Sequence, residues 1–168
     1  MISPDPDHKT PDHEIILVPS VGQPDREQLR QECYNVRINV FRHEQALDEK
    51  IDELRVRRPS RRRPSLCSRR FAHWQGRLDE TAEHFLLRLL PSLQPVGTIR
   101  ASRANSGGAP YYRLSRLAVL KDFRKLNFGR ELVLAYHKWV AADAQSRGEI
   151  SANLLCILMV EVNAFYAK

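Results

Sequence analysis

The stretch 124-RKLNFGREL-132 gathers three cations, Arg124, Lys125 and Arg130, around Asn127 and Gly129. It follows the apolar run 117-LAVL-120 and opens a segment whose apolar residues recur at helical spacing. A strand that ends in such a turn and runs on into a helix can hold a phosphate. The first N–H groups of a helix have no intrahelical partner, and the helix dipole adds roughly half a positive charge there. Glycine lets an anion approach the backbone closely, and the three cations add full charges. The plain alternative is a basic surface turn between strand and helix. Asn127 is compatible with a tight loop, because asparagine is the residue other than glycine that most readily tolerates positive φ.

The elements that must position this turn are legible on either side of it. Residues 1–13, with three prolines, read as a disordered tail, and 14–168 as one domain. The run 14-EIILV-18 reads as a strand, and Asp25 as a helix cap before 26-REQLRQECYNVRINVF-41. There Leu29, Cys33, Val36, Val40 and Phe41 share one helical face. A second short acidic helix, 44-EQALDEKIDEL-54, follows. The runs 83-EHFLLRLL-90, 95-PVGTIRASR-103 and 111-YYRLSRLAVL-120 have strand length and content, with turns that suit antiparallel hairpins. The segment 128–148 carries Leu132, Val133, Tyr136, Val140 and Ala144 at helical intervals, with Gly148 as its C-cap. A buried strand at about 150–160 and a last helical turn over 161–168 complete the order β-α-α-β-β-β-α-β-α.

Charge is local rather than global. The net charge is +7, yet eight arginines and no acid lie between Arg55 and Arg70, so the remainder is close to neutral. The segment 55–77 has no periodicity and reads as an arginine-rich loop insertion. A basic fold built to bind nucleic acid is therefore not indicated. The longest apolar run, 154-LLCILMV-160, is far shorter than the roughly 20 residues of a membrane span. The N-terminus has no apolar signal core, which points to a cytoplasmic protein, with nuclear entry through the arginine segment as a variant. Cys33, Cys67 and Cys156 are widely spaced, read as reduced thiols and show no zinc pattern. No metal site is expected.

Three stretches together resemble the GNAT superfamily of N-acetyltransferases. The first, 115-SRLAVLKDFRKLNFGRELV-133, is similar to its acetyl-CoA motif: a strand, then Arg/Gln-x-x-Gly-x-Gly/Ala, then a helix. The second, 40-VFRHEQALDEKIDE-53, is similar to the VFxxEQ…EIDE segment of one small branch. The third, 165-FYAK-168, resembles the start of an FYxKxGF ending. Asn127 stands where the family usually has its first glycine. The resemblance implies an α/β (α+β) fold with a mixed, mainly antiparallel sheet flanked by helices. It implies acetyl-CoA as co-substrate and a primary amine, of a small molecule, as acceptor. The main chain of Leu117, Ala118 and Val119 would pair with the pantetheine arm. The loop Arg124, Lys125, Leu126, Asn127, Phe128, Gly129 and Arg130 would hold the pyrophosphate.

Acetyl transfer to an amine needs a neutral nucleophile. A lysine-like amine has a pKa of about 10.4, so a carboxylate or an ordered water must take its proton. The resemblance makes Glu44 the first candidate for that base, with His43 and Glu83 behind it. It makes the N–H near Val119 the donor to the developing oxyanion. Tyr166 matches the tyrosine that protonates the departing thiolate. Family members continue past the FYxK stretch into a further strand, so the chain reads as lacking its final strand at Lys168. An apolar edge left there would favour a homodimer. The competing function is a non-catalytic GNAT-like binding module that uses the 55–70 arginines for nucleic acid or acidic partners.

Overall fold

The computed structural model describes residues 10–46, 80–105, 110–149 and 152–156. The expected acidic helix after residue 46, the arginine-rich segment 55–77 and the closing residues 157–168, Tyr166 included, lie outside them. Five strands form one sheet in the order β1-β2-β3-β4-β5: His13–Leu17, Glu83–Leu89, Pro95–Ala104, Tyr111–Val119 and Asn153–Cys156. The first four pair antiparallel, and β5 pairs parallel to β4. Helix α1 (Arg26–Arg37) runs directly into a π-helical stretch, Ile38–Glu44, and α2 spans Phe128–Ser146. The expected mixed, mainly antiparallel sheet flanked by helices is what forms.

Alternation along the strands explains the two layers. Successive residues point to opposite faces, so Phe85 and Leu87 join one core while Leu86 joins another. On the first face, Phe128, Leu132, Tyr136, Val140 and Ala144 of α2 pack with Phe85, Leu87, Ile99, Tyr112 and Leu114. Those five helical residues recur every fourth position, which draws one stripe along the helix. On the second face, Leu29 and Cys33 of α1 meet Val18 and Leu86. Val36 and Val40 meet Ala118 near the end of β4. Because β2 is covered on both faces, its residues His84, Phe85, Leu86 and Leu87 are all buried. Each large apolar side chain so buried contributes about 1.5–3 kcal/mol.

Two features bear on β4. Its partner β3 advances two residues from Thr98 to Arg100 while β4 moves three, from Ala118 to Ser115. One extra residue is thus accommodated in β4, and Arg116 there has φ 59°. Such a bulge bends a strand and re-aims it. The pairing of β5 with β4 runs from Tyr111 to Leu114, on the near side of the bulge. Beyond it, among the described residues, the outer edge of β4 has no strand partner. Gly97 faces α2 across from this region. A Cβ there would meet Leu132 Cδ1 at 3.0 Å, so glycine lets the helix lie close on the sheet.

Candidate cofactor and acceptor site

The edge of β4 that has no strand partner among the described residues leads straight to the basic turn. Leu120 N–H donates to Val96 C=O at 2.9 Å, which ties the strand's end to β3. In an antiparallel ladder the residue beside such a bonded pair turns its own groups to the opposite edge. Val119 N–H and C=O therefore point away from β3, into the gap beside β4 that no described strand fills. A single 3-10 turn, Lys121–Phe123, follows, closed by Phe123 N–H to Leu120 C=O at 3.0 Å. Then Lys125 (φ 66°) and Asn127 (φ 62°) take left-handed backbone, and α2 begins at Phe128. Phe123 and Leu126 pack on the α2 core, and Phe128 is buried with the His13 ring edge-on at 5.1 Å. Apolar anchors thus pin the turn from below.

What the turn presents is a row of donors. The first helical bond runs from Glu131 N–H to Asn127 C=O at 3.0 Å. The N–H groups of Phe128, Gly129 and Arg130 lie ahead of it, and the Asn127 side chain does not cap them. Asn127 adopts the left-handed conformation that its residue type tolerates. Gly129 is helical rather than left-handed, so what it offers is the lack of a side chain, not an unusual φ. Among the described residues, neither Lys125 nor Arg130 forms an ion pair, and both are exposed.

Arg124 is differently placed. Its Nε donates to Val119 C=O at 3.0 Å, and its two terminal nitrogens each donate to an oxygen of Glu44 at 2.6 Å. Two residues singled out for separate duties are therefore one bidentate pair. Glu44 reaches this position because the π-helical stretch carries it there. Gln45 N–H donates to Val40 C=O at 3.1 Å, the i→i+5 bond of a π-helix. Val36 and Val40 on Ala118, with Phe41 and Leu120 beside them, press that stretch against the end of β4. The sequence periodicity had suggested an ordinary helix through Phe41. Seven residues are too few for an apolar pattern to separate the two helix types.

Glu83 lies away from the gap. Glu83 opens β2 beside Asp143, which lies fifteen residues along α2 from Phe128, about 22 Å of helix. Burial is the main cause that pushes the Glu83 carboxyl above its ordinary range, with Asp143 adding to it and Arg26 opposing. His84 is a buried strand residue of β2, and His43 and His137 are exposed. At this far end Tyr112 donates its hydroxyl to Asp143 at 2.7 Å, and Arg147 donates to the same carboxylate at 2.8 Å. That cluster fastens the C-terminal end of α2 to β4. The described residues include no group of three or more His, Cys, Asp or Glu able to hold a metal. No described helix is long and apolar enough to cross a membrane.

A family model described as the acetyltransferase (GNAT) family matches residues 48–153. Among curated proteins none matches the sequence. Among solved structures, the chain is similar to a protein from Lactobacillus plantarum described as an N-acetyltransferase. The two share 22% identity with a TM-score of 0.57, over 93% of this chain and 82% of that one. It is also similar to an aminoglycoside antibiotic 6'-N-acetyltransferase from Acinetobacter baumannii (12%, TM-score 0.53, 92% and 85%). A third is glucosamine-6-phosphate N-acetyltransferase from Arabidopsis thaliana (11%, TM-score 0.51, 92% and 88%).

Proposed function

Because the chain belongs to the acetyltransferase (GNAT) family, we propose that it moves an acetyl group from acetyl-CoA to the primary amine of a small molecule. The observation that carries this reading is the coincidence of two features. A strand edge with no partner beyond Leu114 among the described residues ends, within one turn, at a helix N-terminus flanked by Lys125 and Arg130. The first suits an extended, amide-bearing arm, and the second suits a pyrophosphate. Acetyl-CoA has both, and when bound it supplies the activated acetyl group.

In this reading the main chain of Leu117, Ala118 and Val119 pairs with the pantetheine arm. The amides of Phe128, Gly129 and Arg130 bond the phosphates, with Lys125 and Arg130 adding charge. Val119 N–H, turned into the gap, donates to the carbonyl oxygen as negative charge develops on it. Glu44, held at the end of β4, takes a proton from the incoming ammonium so that the amine can attack. Tyr166 gives a proton to the departing thiolate. Ala118 packs under Val36 and Val40, so the strand can be fixed by its side chains while its backbone edge remains open for pairing. Two structural relatives are described as acting on an aminoglycoside and on glucosamine-6-phosphate, both small amines, which supports a small acceptor here.

Titration calorimetry of the chain with acetyl-CoA tests the reading. Binding should be measurable in the parent and lost or much weakened in Gly129→Glu, which puts a carboxylate among the donors. Equal affinity in the two proteins would mean the phosphates lie elsewhere. Tyr166→Phe should lower turnover and leave cofactor affinity nearly unchanged. Unchanged turnover would reduce Tyr166 to a packing residue.

A further inference from the structure

The guanidinium of Arg124 stands across the gap that the cofactor would enter. Its Nε occupies Val119 C=O, one of the outward-facing groups on the open edge of β4. Its two other nitrogens occupy both oxygens of Glu44. One side chain therefore engages a main-chain acceptor wanted for pantetheine and the carboxylate wanted for the amine. We propose that the Glu44–Arg124 pair is a latch, closed in the free chain and opened when Arg124 is drawn to the pyrophosphate of coenzyme A. Opening it releases Glu44 and the Val119 carbonyl together. The proposal rests on the cofactor reading above.

Three observations favour a latch over a fixed structural bridge. The pair is at the surface, with the Arg124 side chain 38% exposed and Glu44 29% exposed. Water can therefore replace its bonds at little cost. The competing site is adjacent in the chain, since Arg124 precedes left-handed Lys125 and the first donors of α2 begin four residues on. The two ends of the pair are also held independently. Glu44 is placed by Val36 and Val40 packing on Ala118, and the turn is placed by Phe123, Leu126 and Phe128. When Arg124 swings away, neither backbone has to move. The two terminal nitrogens that hold Glu44 match phosphate oxygens as well as they match a carboxylate, and Arg124 moved onto phosphate through them leaves its Nε to water.

A latch that the ligand must open takes its own stability out of the ligand's affinity, and the relation is reciprocal. Glu44→Gln removes the charge that holds Arg124 and keeps the side chain's size. The variant should bind coenzyme A more tightly than the parent, by roughly two- to fivefold, the strength of an exposed ion pair. A merely structural bridge gives the opposite sign, because losing it would loosen the turn. A second measurement uses the parent alone. The Arg124 Nε proton, identified by its loss in Arg124→Lys, should exchange slowly in the free chain and several times faster with coenzyme A at saturation. Tighter binding by Glu44→Gln together with faster exchange supports the latch. Equal or weaker binding by a folded Glu44→Gln, or an Nε proton still protected in the complex, overturns it while leaving the cofactor site standing. A parent that binds no coenzyme A at all overturns both, and if Glu44→Gln does not fold, the exchange measurement decides alone.

Discussion

Asn127 is the residue at which the cofactor turn can be perturbed with least collateral damage. Its φ is 62°, and its side chain makes no capping hydrogen bond, so replacing it removes no bond and acts on the backbone alone. An L-residue in this left-handed region costs roughly 1–2 kcal/mol, from which glycine is exempt and asparagine partly so. Asn127→Gly removes what remains of that cost and loosens the unfolded chain by a comparable amount, about 0.5–1 kcal/mol. Its stability should therefore lie near that of the parent. Asn127→Val brings the full left-handed cost and a β-branched side chain, the worst case for positive φ. If the whole domain bears that cost, the urea midpoint falls by the equivalent of about 1–2 kcal/mol. If the turn alone rearranges, the midpoint holds and the same energy is lost from coenzyme A affinity, roughly 5- to 30-fold. Urea titration and calorimetry on the three proteins read both routes. A valine variant equal to the parent in midpoint and in affinity would show that the left-handed turn does not hold the phosphates, and the reasoning would be refuted.

Gly97→Ala puts a Cβ 3.0 Å from Leu132 Cδ1, and Leu132 is fully buried in the core. After the gain from alanine in a strand, a net loss of about 1 kcal/mol is expected, and a higher urea midpoint would contradict it. Glu83 has a folded-state pKa raised above 4.5 by burial first, so its effect runs opposite to that of a paired carboxylate. Stability is lost as pH rises through the raised folded value and is unaffected below the unfolded one. Glu83→Gln should therefore melt higher than the parent at pH 7 and equal to it at about pH 4, and identical melting at both would remove the burial cost. Tyr112→Phe deletes the 2.7 Å bond to Asp143 at a site 1% exposed, for a loss of about 1–2 kcal/mol by urea titration. Asp143 is held below 3.8 chiefly by Arg147, with Tyr112 a lesser cause, so its stability is lost as pH falls through that lowered value. In Tyr112→Phe the acid unfolding limb should move up in pH only slightly, and a large move would reverse the ranking of the two partners.

How much of this was legible in residues alone follows from how far each interaction reaches. Strand and helix patterns depend on neighbours a few positions away, so the β2, β3 and β4 runs and the α2 stripe were readable before any coordinates. The left-handed turn at Asn127 was readable for the same reason, since the preference belongs to that residue's own backbone. The bulge at Arg116 was not, because an extra residue in a strand shows only against the partner that lacks it. The parallel pairing of β5 with β4 likewise depends on how two distant segments align. The π-helical stretch depends on α1 packing against Ala118, which no seven-residue pattern encodes. Glu83 and Glu44 are the same residue type, each set in a short run near other charges. Only the fold sends one to the far end of α2 and the other to the mouth of the gap. Arg124 and Glu44 are 80 residues apart, and their sequence contexts assigned one to phosphate and the other to a proton. That they hold each other is decided by tertiary packing, because a side-chain ion pair forms only where two separately folded segments bring opposite charges within reach.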